Sequence, residues 1–146
     1  VPARILSAIG QQTIDHRGPE FAKVGMRALD GLKSIFKTEE NVFIYPASGT
    51  GAWEAALVNT LSPGDRVLMF ETGHFATLWK KLAEILGINA EFIERDWRVR
   101  VDPDLIVAYL SVYKEHTIKA FFVVHNETST VSVSPVAAVC KAIDHS

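Results

Sequence analysis

Apolar positions along this chain return with two alternating periods. Over residues 18–37, Phe21, Val24, Met26, Leu29, Leu32 and Phe36 recur at helical spacing, with Lys23, Arg27, Asp30 and Lys33 between them. That pattern predicts an amphipathic helix. The run NVFIY at 41–45 predicts a short buried strand, followed by a Ser-Gly-Thr-Gly loop and a helix to about Leu61. Ser62-Pro63-Gly64-Asp65 is turn chemistry. A second strand is predicted over 66–70, then a helix over 75–86 with Gly87 as its C′ residue, then a third strand over 89–93. Asp102 and Pro103 suit the N-cap and first position of a helix whose face carries Leu105, Ile106, Tyr109, Leu110 and Tyr113. A fourth strand is predicted over 119–124, and Ser134-Pro135 caps a last helix to about Asp144. The alternation predicts an α/β fold with a mostly parallel sheet and helical crossovers. Ligands of such sheets gather beyond the carboxyl ends of the strands. The loops at 46–51, 71–75 and 125–130 are therefore the places to look for chemistry.

Composition narrows the classes without changing the fold. Apolar residues make up 48% and charged residues 22%, a globular balance that excludes a wholly disordered chain. Fifteen Lys and Arg against 17 Asp and Glu give a net charge of −2, so no basic excess points to nucleic acid or an anionic membrane. Apolar runs such as 120–124 are too short to span a bilayer. The single cysteine, Cys140, forms no internal disulfide and builds no zinc site by itself, which points to a reducing, cytoplasmic setting. Its neighbours Val139 and Ala142 predict a buried, inert thiol. A length of 146 residues suits one small domain. Both ends nevertheless read as cut, because the chain opens on Val1-Pro2 and stops directly after an apolar helical pattern.

In the first loop, Gly49 and Gly51 let the backbone come close to an anion and take positive φ, Thr50 adds a hydroxyl, and the first amides of the next helix point outward. This is a phosphate cradle or a tight turn capped by Ser48, and the two readings stand level. Glu54 replaces the third glycine of a dinucleotide fingerprint, and no Gly-Lys-Ser/Thr follows as in a Walker loop. In the second loop, Phe75 covers a flat ligand ring or joins the core, and His74 is a base, a ligand or an exposed helix-start residue. In the third, His125, Asn126, Glu127, Thr128, Ser129 and Thr130 hold a polar ligand or form a solvated loop bonded to itself. No second His or Cys stands at metal-ligand spacing, so no metal is expected.

Four segments in order carry a resemblance. They are Ile14-Asp15-His16-Arg17-Gly18-Pro19-Glu20-Phe21, Ser48-Gly49-Thr50-Gly51-Ala52-Trp53-Glu54-Ala55-Ala56, Leu61-Ser62-Pro63-Gly64-Asp65 and His125-Asn126-Glu127-Thr128-Ser129-Thr130. Together they resemble class V aminotransferases of pyridoxal-phosphate (PLP) fold type I, in the serine–glyoxylate and alanine–glyoxylate branch. The resemblance implies that Thr50 and Gly51, with the amides of Gly49 and Ala52, bind the cofactor phosphate. It implies that Phe75 stacks on the pyridine ring and that Thr128 hydrogen-bonds near the phenolic oxygen. It gives Asn126 and Glu127 no firm role, and puts His16 and Arg17 near the site and a dimer contact. Where the family usually has Gly after Ser129-Thr130 this chain has Val131, a residue strained if that turn needs positive φ.

By the same resemblance the aspartate that pairs with the pyridine nitrogen and the Schiff-base lysine are expected beyond Ser146, and Lys119 and Lys141 fit neither position. Residues 1–146 then correspond to an incomplete large domain, without the N-terminal arm, the rest of that domain or the small domain. No residue of this chain would be catalytic, and the chain alone would not transaminate. The intact enzyme is expected to be a homodimer acting on an amino acid and a 2-oxo acid, and a peroxisomal address would lie outside this sequence. Rival readings are a cysteine desulfurase or phosphoserine aminotransferase of the same class, a complete non-catalytic phosphate- or nucleotide-binding α/β domain, and a pure interaction module. An incomplete sheet is expected to leave an unpaired edge.

Overall fold

The computed structural model describes residues 1–113 and 117–144. The chain forms two compact units, Val1–Pro46 and Ala47–Ser146.

The first unit holds α1 (Ala3–Ile9) and α2 (Pro19–Phe36). Pro19 pre-sets the first turn of α2, Glu20 complements its positive end, and the helix stops where Lys37 turns left-handed at φ 52°. Its apolar face is only partly covered: Leu29 and Leu32 are half-buried, and no residue of α2 is fully buried. Phe21, Val24 and Met26 are all exposed. The helix α1 has no clear apolar period and gives no signal in the sequence. The strand predicted over 41–45 does not form. The segment pairs with no strand among the described residues, and Phe43 stays 73% exposed. An apolar run becomes a strand only when a neighbour takes its backbone groups.

The second unit is a three-layer sandwich. Its sheet contains β1 (Arg66–Phe70), β2 (Asn89–Ile93) and β3 (Ile118–Phe122) in the order β2-β1-β3, all parallel. The strand β1 is central and buried on both faces, as its unbroken VLMF run requires. Val67 and Met69 face one side, with Leu57 of α3 (Gly49–Thr60) and Trp79 and Ala83 of α4 (His74–Ile85). Leu68 and Phe70 face the other, with Ile106 of α5 (Pro103–Val112) and Val139 and Ala142 of α6 (Val136–Asp144). The register against β3 skips one residue between Ile118 and Ala120, so Lys119 is the extra residue of a bulge. That is why Ile118 packs on the α5/α6 side while Ala120 packs on the α3/α4 side.

Local signals set most boundaries. The Asp102 side chain accepts from the Asp104 amide at 3.1 Å, as an N-cap does, and Pro103 follows at the first position. Gly87 closes α4 at φ 75°. Two expectations need correction. Ser134 does not cap α6 with its hydroxyl. Buried, it donates to the Val124 carbonyl at 2.9 Å, and its amide donates to the His125 carbonyl at 2.8 Å, which ties off the base of the 125–133 segment. Cys140 is exposed rather than buried, because α6 turns Val139 and Ala142 inward and leaves Cys140 outside that stripe.

Candidate functional site

Three stretches of the second unit carry the residues singled out from sequence, and the structure links them. The 125–133 stretch is not a plain loop. It is a hairpin of β4 (Asn126–Glu127) and β5 (Ser132–Val133), antiparallel, with Asn126 opposite Val133. Period-2 alternation is absent in so polar a run, which therefore carries no strand signal. Val131 sits in the turn at φ 56° and is 90% exposed. The turn does require the left-handed region, and a β-branched residue occupies it.

Glu127 is 1% exposed and is the largest buried polar residue among those described. One carboxylate oxygen accepts from the Phe75 amide at 3.3 Å, the Ser129 amide at 3.2 Å and the Ser129 hydroxyl at 2.6 Å. The other accepts from the Ala76 amide at 3.2 Å. The Ser129 hydroxyl in turn accepts from the His74 amide at 2.9 Å. These bonds satisfy the first three amides of α4, whose own N-cap is Gly73 and has no side chain to offer. Thr130 adds a hydrogen bond from its hydroxyl to the Thr72 carbonyl at 3.2 Å. Gly73 is obligatory here, since an added Cβ would lie 2.5 Å from both Glu127 Cγ and Ser129 Oγ. Sequence reading gave Glu127 no firm role. A glutamate that caps amides 51 and 52 residues upstream leaves no local signature.

The start of α3 behaves differently. Ser48 is its N-cap in extended geometry, yet its hydroxyl makes no capping bond. Gly51 donates to the Ser48 carbonyl at 3.0 Å. Among the described residues the amides of Gly49 and Thr50, and the Thr50 hydroxyl, have no protein acceptor. Neither glycine adopts positive φ, contrary to the sequence expectation. Gly51 is needed for closeness instead, since a Cβ there would meet the Ala47 Cβ at 2.5 Å, while the space beside Gly49 is open. Of the two helix N-termini here, α4 is therefore closed by its own protein. Only α3 keeps free donors at the positive end of its dipole.

Phe75 joins the two regions. It is half-buried in the first turn of α4, and its ring meets Trp53 of α3 edge-to-face at 6.0 Å between centroids. Trp53 stacks in turn on Trp79 at 5.4 Å. Thr128 is exposed, and its hydroxyl has no protein partner among the described residues. His74 and His125 are exposed as well. The Thr72 hydroxyl, one residue before Gly73, is buried without a partner. Among the described residues no three His, Cys, Asp or Glu side chains gather to hold a metal ion. The lysine and aspartate expected beyond Ser146 lie outside the described residues.

No family model matches the chain. Individual proteins do. Serine–glyoxylate aminotransferase of Arabidopsis thaliana is 38% identical over 99% of this chain and 36% of its own length. L-aspartate–glyoxylate aminotransferase of Paracoccus denitrificans is 39% identical over 99% of the chain and 37% of its own. The solved aspartate aminotransferase of Thermus thermophilus superposes with a TM-score of 0.89 at 26% identity, over 99% of this chain and 40% of that one. All three of these proteins are named as aminotransferases. The chain spans little more than a third of the length of the curated relatives, 36% and 37% of the two above. Likeness over 99% of the chain to a solved aminotransferase agrees with the α/β fold with a parallel sheet read from sequence.

Proposed function

We propose that this chain is the cofactor-holding part of the large domain of a PLP-dependent aminotransferase that uses glyoxylate as amino acceptor, with serine or alanine as donor. One observation carries the reading. Free amides at Gly49 and Thr50, with the Thr50 hydroxyl, lie together at the start of α3, and the Trp53–Phe75 contact sets an aromatic ring beside that helix. The donor set fits a phosphate monoester dianion. The neighbouring ring fits a flat heteroaromatic group, and the free Thr128 hydroxyl suits its phenolic oxygen.

In this reading Gly49, Thr50, Gly51 and Ala52 bind and orient the phosphate end. Phe75 covers one face of the pyridine ring and keeps water from it, while Thr128 donates to the phenolic oxygen. The bound cofactor supplies the electron-withdrawing ring through which an amino group is exchanged between an amino acid and a 2-oxo acid. Residues 1–146 contribute binding and orientation. The Schiff-base lysine and the aspartate facing the ring nitrogen belong to sequence beyond Ser146. The uncovered apolar side chains of α2 support an assembled state, which the resemblance makes a homodimer. A cytoplasmic location rests on the scarcity of cysteine.

The test uses pyridoxine 5′-phosphate, which has no aldehyde and cannot condense with surface lysines. It should quench the tryptophan fluorescence saturably, pyridoxine should not, and Thr50→Ala should weaken binding about tenfold, the loss of one charge-assisted hydrogen bond. Equal quenching by pyridoxine and its phosphate, or no effect of Thr50→Ala, would sink the reading.

A further inference from the structure

We propose that Glu127 is a positioning residue that seats the Phe75 ring for a bound pyridine. This deepens the function proposed above and rests on it for the identity of the ligand. The argument starts from α4. A helix usually takes its first hydrogen bonds from the side chain of its own N-cap. Gly73 has none, and the missing acceptors come from residues 51 to 55 positions later in the chain. Glu127 bridges two successive amides of that first turn with its two oxygens, and Ser129 takes the third.

The direction of the Phe75 Cα–Cβ bond is thereby fixed by the hairpin that carries Thr128. Ring and hydroxyl are held on one frame, although they belong to different strand ends. A glutamine at position 127 has one acceptor oxygen and would turn an NH2 group toward an amide N–H. A buried group with one good contact and one repulsive contact is worse than none. No hydrogen bond of this frame reaches the free amides of α3, so the phosphate end and the ring end are held by separate hydrogen bonds and meet only where the Phe75 ring packs on Trp53.

That separation makes the test specific. In Glu127→Gln, hydrogen exchange at the Phe75 and Ala76 amides should speed up about tenfold or more, while Ala83, deep in α4, keeps its protection. Affinity for pyridoxine 5′-phosphate should fall about tenfold, whereas affinity for inorganic phosphate should not change. In a Phe75→Leu background the same substitution should cost no further affinity, since Glu127 acts through the ring. Ser129→Ala, a smaller change, should speed exchange at His74.

Unchanged exchange at Phe75 and Ala76 would overturn the proposal. So would a parallel loss of phosphate affinity, or an equal loss in the Phe75→Leu background. If the unsubstituted chain bound neither pyridoxine 5′-phosphate nor phosphate while the exchange results held, the assigned function would fall and the clip between the two loops would stand.

Discussion

The backbone amide of Ala76 donates to the carboxylate of Glu127 across 3.2 Å, joining residues 51 positions apart in the chain. Gly73 is the only residue that fits beneath this bond. Its φ is 154°, and a Cβ would press on Glu127 Cγ and Ser129 Oγ, neither free to move because both side chains are hydrogen-bonded in place. Gly73→Ala should therefore destabilise the chain by about 2–4 kcal/mol, the range for overpacking added to backbone strain. Urea unfolding measures it, and a shift below about 0.5 kcal/mol would mean that the clip yields freely.

Val131 gives the opposite sign. It holds φ 56° while 90% exposed, so it bears the left-handed cost with little packing in return. Val131→Gly should stabilise by about 0.5–1 kcal/mol, the relief of that cost less the added freedom of glycine in the unfolded chain. Val131→Ala keeps a Cβ and should recover much less. Thermal unfolding of the three proteins checks the order, and a glycine variant no more stable than the parent would contradict it.

Cys140 lies outside the buried stripe of α6. It should react with an aromatic disulfide reagent in the native chain as completely as in denaturant, with one thiol per chain. Cys140→Ser should change stability by no more than about 0.5 kcal/mol, as for other exposed positions. A thiol that reacts only after unfolding would restore the buried reading.

The Arg98 side chain, and then its backbone amide, donate to the Asp96 carboxylate and hold its pKa at about 2. A carboxyl lowered on folding favours the native state above its unfolded pKa, and that contribution disappears as pH falls toward 2. Both side chains are exposed to solvent, so the effect on stability is small. The carboxyl resonance of Asp96 should titrate near pH 2 and move upward in Arg98→Ala. A midpoint in the ordinary carboxylate range in both proteins would dispose of the pairing.

Much of the second unit was legible because its signals are local. Asp102-Pro103, Gly87 and the VLMF run each fix an element from within a few residues. The segment 41–45 misled because an apolar run states only that a strand is possible, and whether it forms depends on a partner elsewhere. Cys140 misled for a related reason. Its neighbours are apolar, but burial on a helix follows the 3.6-residue turn, so Val139 and Ala142 go inward and Cys140 does not. At the start of α3, the free amides of Gly49 and Thr50 followed from the rule that helix starts lack partners. Glu127 was beyond reach, since its partners are backbone amides with no residue identity to recognise. The strain at Val131 was legible through the resemblance, which puts glycine where this chain has a β-branched residue, and the turn does take positive φ.

The central place of β1 also has a consequence in time. Its partner on one edge, β2, ends at Ile93, and its partner on the other, β3, begins at Ile118. A growing chain that has reached Ile93 already holds Leu57, Trp79 and Ala83, enough to begin closing one face of β1. The opposite face waits for Val101, Ile106, Val139 and Ala142, so Leu68 and Phe70 are not fully covered until some 50 further residues are made, a few seconds at ordinary rates of synthesis. Until β3 is made the most apolar strand of the sheet has an empty edge, and until α6 is made its second face is only partly covered, which is the period in which a nascent chain of this kind is most exposed to capture by chaperones or by its own copies.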